Sequence, residues 1–226
     1  MPPTDKFGII TGLMIEARCI SRSVKSPRIL LFCSGANPQQ AEQGAGEMAE
    51  NGATALLSFG LAGGLDPALS PGDVLLPEKI IDPDGNIFSC DPALREKLAP
   101  HCNPAPGGLL YGTDTPVLSG EEKRRLHEKT GAAGVDMESH IVGRVAAEKG
   151  IPFIALRIIS DPAWRDVPPC ALSGIGKGGE TQPLAVMGSL LRRPQDLPGL
   201  LRLAFDNQKA MKRLSRVGDS LATLFL

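Results

Sequence analysis

Short apolar runs alternate with polar or amphipathic segments along this chain. Apolar runs bounded by turn signals are typical of buried strands, whereas helices carry their apolar residues on one face. The runs predict strands at residues 7–13, 28–33, 53–59, 73–81, 109–113 and 152–159. The segments between them predict helices at 38–50 and 92–98, a charged surface helix at 120–129, and a helix that follows Glu138 and ends near Lys149.

The order of these elements predicts the architecture. Strands that alternate with helices favour a largely parallel or mixed sheet covered on both faces. Asn37-Pro38 is a typical helix start, with an N-cap residue followed by proline. One or two helices close the chain, interrupted near Pro194 and Pro198. Because neither an internal repeat nor a low-complexity linker divides the chain, we expect one domain over residues 1–226.

The composition narrows the class of protein. Of the 226 residues, 42% are hydrophobic, which is enough for a sizeable core. Lys and Arg number 24 against 25 Asp and Glu, so no charge excess favours a nucleic-acid partner. The five cysteines are odd in number and lack C-x-x-C spacing, which favours neither a disulfide framework nor a zinc site. Without an apolar signal core or a run of roughly 18 apolar residues, we expect a cytoplasmic protein.

A glycine-rich run, SFGLAGGL at residues 58–65, follows the third predicted strand. Glycines after a buried strand let the backbone approach a ligand closely and can present N–H groups to an anion. A tight turn is the structural alternative, and the run alone does not separate the two. It lacks the G-x-G-x-x-G spacing, and no P-loop lysine follows it.

Acidic residues near the ends of predicted strands are candidates for chemistry. In VDMES, Asp136 and Glu138 lie at a strand-to-helix junction, where a carboxylate could accept both hydroxyl hydrogens of a ribose. In IPFIALRIISD, Asp161 ends the most apolar strand, where open α/β sheets bind ligands. Partial burial there would let it hold and donate a proton near neutral pH. Acids favoured by a helix dipole, and an aspartate that caps a turn, are the structural alternatives.

The segment GLMIEAR at residues 12–18 follows the first predicted strand. Glu16 is a candidate base, and Arg18 is a candidate contact for an anion. A surface Glu–Arg pair at the start of a helix is the alternative. The Pro- and Gly-rich loop at 162–181 is a further place where function often sits.

Taken together and in this order, these segments resemble the nucleoside phosphorylase/nucleosidase superfamily. The specific parts are GLAGGLDPALSPGDV and VDMES followed by IPFIALRIISD, and the match runs from Phe7 to Asp161. The resemblance implies a three-layer α/β/α sandwich around a twisted mixed sheet, of the nucleoside phosphorylase type. It also implies assembly as a homo-oligomer.

The resemblance further implies an enzyme that cleaves the bond between a purine and a ribose. Glu138 would hold the ribose hydroxyls and Asp161 would protonate the purine at N7, with adenine as the preferred base. Glu16 falls on the glutamate that activates water in the methylthioadenosine nucleosidases. Breaking a C–N glycosidic bond builds an oxocarbenium-like ribosyl cation, so a poised acid and a sugar-holding carboxylate suit the reaction. No metal or organic cofactor is implied, and inorganic phosphate is a candidate co-substrate.

Other positions carry over from the same resemblance. Met137 would pack against the sugar, and Val117 would lie along the base. Leu61 stands where methylthioadenosine nucleosidases have a small hydroxyl residue, and Pro116 stands where an aromatic residue often stacks on the base. Candidate contacts for a phosphate nucleophile are Arg18, Ser34, Gly35 and Gly60.

The segments TGLMIEAR, SFGLAGGL and SLLRRPQDLPGLLRL look most like the hopanoid-biosynthesis-associated phosphorylases. That resemblance implies adenosylhopane, a lipid-linked adenosine, as substrate, and phosphorolysis in preference to hydrolysis. A methylthioadenosine/S-adenosylhomocysteine or futalosine nucleosidase is the enzymatic alternative. A non-catalytic nucleoside-binding protein is the alternative from another class, and the joint presence of Glu16, Glu138 and Asp161 favours an enzyme.

The tail from Leu190 to Asp219 is basic. It holds seven Lys or Arg against three Asp, which leaves a local charge of +4 (seven minus three). A helical apolar stripe runs beside these charges. It contains Leu197, Leu200, Leu201, Ala204 and Phe205. The tail is either a closing helix with a solvated basic face or a surface that contacts an anionic membrane transiently.

Overall fold

One mixed sheet forms the centre of the computed structural model, which describes residues 6–22, 26–176, 178–222 and 224. Its strands are β1 (Lys6–Thr11), β2 (Ile29–Cys33), β3 (Ala53–Gly64), β4 (Val74–Leu75), β5 (Lys79–Ile81), β6 (Ile87–Ser89), β7 (Leu109–Gly112), β8 (Gly134–Asp136) and β9 (Phe153–Asp161). Their order is β2-β1-β3-β8-β7-β5-β6, and β9 pairs with both β3 and β4. The strands β1, β2, β3 and β9 are parallel to one another, whereas β3–β8, β4–β9 and β5–β6 are antiparallel pairs.

Helices cover both faces of this sheet. They are α1 (Met14–Ser21), α2 (Pro38–Glu50), α3 (Pro92–Cys102), α4 (Gly120–Thr130), α5 (Ser139–Lys149), α6 (Pro169–Leu172), α7 (Pro183–Arg192) and α8 (Leu197–Ala222), with a 3-10 turn at Pro194–Asp196. One core lies between the sheet and α1, α3 and α8, and the other between the sheet and α2 and α5. The predicted α/β/α sandwich with a mixed sheet is therefore confirmed.

The two cores explain why the strands are continuously apolar. Side chains alternate between the faces of a sheet, so neighbours Leu56 and Leu57 enter opposite cores, and both are fully buried. Full burial of a leucine contributes about 1.5–3 kcal/mol to stability. The second helix begins as predicted, because the Asn37 side chain accepts the Gln40 N–H at 3.0 Å.

The third strand is longer than predicted. β3 continues through the glycine-rich run to Gly64, so the tight-turn alternative is wrong. A Cβ at Gly60 would come within 2.6 Å of Arg157 Nη1 and 2.7 Å of Glu16 Oε2. Glycine is needed there because two charged side chains approach the strand backbone closely.

Other boundaries differ because of tertiary pairing. The strand predicted at 73–81 is divided into β4, which pairs with β9, and β5, which pairs with β7. The short β6 and α6 were not predicted. Pro198 does not interrupt the last helix, because it lies in the first turn of α8, where a missing N–H costs nothing.

Candidate active site

A cavity of about 670 Å³ opens at the carboxyl ends of the parallel strands β1, β3 and β9. Glu16, in the first turn of α1, lines it together with Glu138, just before α5, and Asp161, at the end of β9. The wall also contains four further predicted substrate contacts: Leu61, Val117, Asp136 and Met137. Side chains distant in sequence thus meet where open α/β sheets bind ligands.

Glu16 is buried and held by backbone amides. The N–H groups of Gly12 and Leu13 each donate to its Oε2 at 2.9 Å, and the N–H of Leu61 donates to Oε1 at 2.8 Å. Burial raises the pKa of Glu16, while the nearby Arg157 and these N–H groups act in the opposite direction. A buried carboxylate with a raised pKa is a stronger base than an exposed one, which suits proton abstraction from water.

Arg157 is a fully buried residue of β9 that sequence reasoning missed. Its Nη2 lies 2.5 Å from Asp136 Oδ2 and 3.2 Å from Glu138 Oε2, and it donates to Ser58 Oγ at 2.5 Å. A single charged residue inside an apolar strand was the available signal, because a buried guanidinium requires carboxylate partners.

Carboxylates outnumber cations in this cluster. Three acids, Glu16, Asp136 and Glu138, surround the single guanidinium of Arg157, so full ionisation would leave a charge of −2 (one minus three). Burial, together with the charges of Asp136 and Glu16, raises the pKa of Glu138 to about 8, against the opposite effect of Arg157. The excess of negative charge in this cluster therefore opposes ionisation of Glu138.

Asp161 is 6% exposed and has two polar neighbours. Ser160 Oγ donates to its Oδ1 at 2.5 Å, and the ammonium of Lys123 forms an ion pair with its Oδ2. The helix α4 was predicted as a charged surface helix, and for Lys123 that prediction is wrong, because this residue is fully buried.

Aliphatic side chains form the outer part of the cavity. The predicted stripe of the last helix divides here: Leu200 and Ala204 line the cavity, whereas Leu197, Leu201 and Phe205 are exposed. The buried apolar residues of this helix lie in its second half: Ala210, Leu214, Val217 and Leu221. Other apolar lining residues come from the loop before α4 and from the 167–186 region: Leu118, Val167, Leu172, Ile175 and Val186.

Four predicted contacts do not line the cavity. Arg18 is exposed on α1, and Ser34 is fully buried with its Oγ 3.2 Å from the Thr11 carbonyl oxygen. Gly60 lies behind Glu16. Gly35, the other candidate contact for phosphate, is also outside the cavity wall. Among the described residues, no Lys, Arg or His side chain lines the cavity.

The side chains that commonly bind metal ions are those of His, Cys, Asp and Glu. Within residues 6–22, 26–176, 178–222 and 224, no group of three or more His, Cys, Asp or Glu side chains is arranged to hold a metal ion.

Relatives of known activity share this fold. A 5′-methylthioadenosine/S-adenosylhomocysteine nucleosidase from Mycobacterium bovis is 26% identical over 216 residues, covering 72% of this chain and 84% of the relative. The structure of the nucleosidase of the same name from Helicobacter pylori, with butyl-thio-DADMe-Immucillin-A, has a TM-score of 0.68 at 19% identity and covers 96% of this chain and 99% of that one. The futalosine hydrolase of Helicobacter pylori strain 26695 gives 0.63 at 20% identity, covering 70% and 88%.

The family of this chain is shown by its match to a family sequence model, and not by its likeness to solved structures. The model of the phosphorylase superfamily matches residues 16–171, a span that contains Glu16, Glu138 and Asp161. That span exceeds half of the 226 residues. The resemblance inferred from the motifs is therefore confirmed at this level: the chain belongs to the phosphorylase superfamily.

Proposed function

We propose that this protein hydrolyses the N-glycosidic bond of a 5′-substituted adenosine and releases adenine. The observation that carries the proposal is the convergence of Glu16, Glu138 and Asp161 on one cavity. The Mycobacterium bovis relative, named for methylthioadenosine and S-adenosylhomocysteine, supports the same reaction class.

Each carboxyl group has one role in this proposal. Asp161 delivers a proton to the base at N7, so that the leaving group departs neutral. Glu138 accepts hydrogen bonds from the ribose hydroxyls and stabilises the ribosyl cation. Glu16 takes a proton from the water that attacks C1′. Asp136 and Arg157 hold Glu138 in place.

Water is favoured over phosphate by the charges of the wall. Phosphate binding needs cationic side chains or free N–H groups, and the described wall offers acidic side chains and no basic ones. The N–H groups of Gly12, Leu13 and Leu61 already bond Glu16. Phosphorolysis, implied by the resemblance to the hopanoid-associated phosphorylases, is thus the second choice.

The 5′ substituent is expected to be apolar. The wall beyond the carboxylates is aliphatic, and apolar surface that leaves water stabilises a bound ligand by about 25 cal/mol per Å². A thioether-substituted adenosine such as 5′-methylthioadenosine fits this wall. Adenosylhopane is a second candidate, because the same wall would accept a much larger apolar chain.

The test is adenine release, followed by chromatography. Purified protein is incubated with 5′-methylthioadenosine, S-adenosylhomocysteine, futalosine and adenosylhopane, each with and without phosphate. We expect adenine and a free sugar from at least one adenosine without phosphate. Release of no adenine from the three adenosine derivatives would overturn the proposal, and release of no purine base from any of the four, including hypoxanthine from futalosine, would favour a non-catalytic nucleoside-binding protein.

We also propose that this protein forms a homo-oligomer, as the family resemblance implies, and that it contacts an anionic membrane transiently. The helix α7 has the sequence PLAVMGSLLR, and none of its residues is buried. Its Leu184 and Leu191 are 81% and 85% exposed, and Arg192 and Arg193 follow. Apolar side chains beside arginines suit an anionic lipid surface. Among the described helices, none combines the length and apolarity needed to cross a bilayer.

A further inference from the structure

Lys123 is a fully buried lysine whose ammonium touches the carboxylate of Asp161. It is the buried residue of α4, and its neighbours Glu122 and Arg124 are exposed. Taking an ammonium out of water is costly unless the group is paired and hydrogen-bonded. A surface helix that buries one lysine against a cavity carboxylate therefore indicates a role beyond stability.

The surroundings of Lys123 fit an ammonium. Besides the carboxylate, Nζ donates to the carbonyl oxygens of Arg165, at 2.8 Å, and of Pro162, at 3.4 Å. These three acceptors match the three hydrogens of the group. All of them belong to residues 161–165, so Lys123 fixes both the end of β9 and the loop that follows it.

Few other charges face this pair. The side chain of Arg165 forms an ion pair with Asp206 of α8 at 2.8 Å. Asp166 accepts the Gly120 N–H at 2.7 Å at the start of α4. On α4 itself, the ring of His127 bonds the Ala132 carbonyl oxygen at 2.8 Å. The groups that can exchange a proton at Nζ are therefore Lys123 and Asp161.

The ion pair between Lys123 and Asp161 bears on the source of the proton that the departing base receives. A general acid must hold a proton when the base departs, yet a carboxylate bonded to an ammonium is the ionised partner of the pair. The hydrogens at this contact belong to the Lys123 ammonium, which donates to Asp161. Asp161 lies between Lys123 and the cavity, because it contacts Nζ and also lines the wall.

We infer that Lys123 is a positioning residue that orients Asp161 and stores the proton which the departing base receives through it; this inference rests on the proposed function. As the C1′–N9 bond breaks, its electron pair goes to the base. The ammonium of Lys123 gives a proton to the Asp161 carboxylate, the carboxylic acid that this forms gives a proton to N7, and Lys123 is left as a neutral amine. After adenine leaves, water in the cavity reprotonates Lys123 through Asp161. The proton of the attacking water goes to Glu16 and then to solvent.

The first experiment is a pH profile of 5′-methylthioadenosine hydrolysis for the wild type, Lys123→Met and Lys129→Met. Lys129 is an exposed lysine of the same helix and serves as the matched control. Since general acid catalysis contributes about 10²–10⁴-fold, we expect Lys123→Met to lower kcat by about 10²-fold with KM within about three-fold. The basic limb of its kcat profile should move to lower pH, because the variant has no ammonium beside Asp161 to supply the proton. Lys129→Met should match the wild type.

A second variant separates charge from proton supply. Lys123→Arg keeps a cation beside Asp161, but a guanidinium does not give up its proton. We expect KM to be retained and kcat to remain low. Thermal unfolding of each variant shows whether it folds. Carbon-13 NMR of the Asp161 carboxyl group, assigned with Asp161→Asn, is a measurement that needs no turnover, and in the wild type it should show a carboxylate at pH 7.

The outcomes distinguish a failure of the proposed function from a failure of the Lys123 inference. Wild-type protein without adenine release, or Asp161→Asn with full release, overturns the role of Asp161 and the relay with it. Loss of activity in Asp161→Asn together with a wild-type kcat and basic limb in Lys123→Met overturns only the Lys123 inference. A protonated Asp161 at pH 7 in the wild type also overturns it, because the stored proton would then lie on the aspartate.

Discussion

The Nη2 atom of Arg157 lies 3.2 Å from Oε2 of Glu138, and both side chains are buried. The guanidinium can remain charged without water because Glu138 and Asp136 bond it. In return, it holds the Glu138 carboxyl group in the cavity wall, at the junction of β8 and α5. One arginine shared by several carboxylates leaves the site acidic.

The stability of the protein should fall as pH rises towards about 8. Burial raises the pKa of Glu138 from 4.5 to about 8, so the folded chain binds this proton more tightly than the unfolded chain does. The stabilisation is present at acidic pH and is lost as pH rises through the folded-state value, by at most about 1.4 kcal/mol per pH unit. Urea unfolding from pH 5 to 8 should show this slope in the wild type and a weaker one in Glu138→Gln. The exposed Glu96→Gln is the control, and equal slopes in all three proteins would contradict the prediction.

Asp161→Asn should abolish most turnover and leave the fold intact. The amide cannot pass a proton to the base, and general acid catalysis contributes about 10²–10⁴-fold. Adenine release at neutral pH measures the loss, and circular dichroism checks the fold. A loss below about ten-fold would remove Asp161 from the proton path.

Glu138→Gln should weaken ribose recognition. An amide has one acceptor oxygen and is a poorer partner than a carboxylate for two hydroxyl hydrogens. We compare ribosyl with 2′-deoxyribosyl substrates and expect the variant to lose more kcat/KM on the ribosyl compound. Equal losses on both would show that Glu138 does not bind the 2′-hydroxyl.

Glu16→Gln should lower hydrolysis by about 10²–10⁴-fold, because the amide cannot accept the proton of the attacking water. Removing all phosphate should leave wild-type adenine release unchanged, with a free sugar as product. Glu96→Gln is again the control. A sugar 1-phosphate, formed only when phosphate is present, would instead identify a phosphorylase.

Anionic vesicles should retain the wild-type protein at low salt and release it at high salt. Each basic residue near an anionic surface contributes about 1 kcal/mol, and salt screens this attraction. Replacing Leu184, Met187 and Leu191 of α7 together by serine should abolish retention. Ile87→Ser changes an exposed apolar residue of β6 and should not. If the wild-type protein stays in the supernatant at low salt, α7 does not contact lipid.

Much of the architecture follows from the sequence because local patterns determine it. Apolar runs predict the strands β2, β3 and β9, and the Asn37-Pro38 start predicts α2. Glu16, Glu138 and Asp161 could be recognised as candidates because each lies near the end of a strand, where side chains from distant segments converge. The division of residues 73–81 could not be predicted, since it depends on which strands lie beside each half.

The sequence by itself determined the layers of this protein and the acidic residues of its cavity. Only the tertiary structure decided which cations meet those acids. Nothing in the helical pattern of residues 120–130 distinguishes Lys123 from its exposed neighbours, and Arg157 is only an interruption of an apolar run. The physical reason is that pairing of buried charges depends on distances between separate elements. Asp161 meets Lys123 of α4, and Arg157 meets Asp136 and Glu138 at the end of β8, only when the chain is folded.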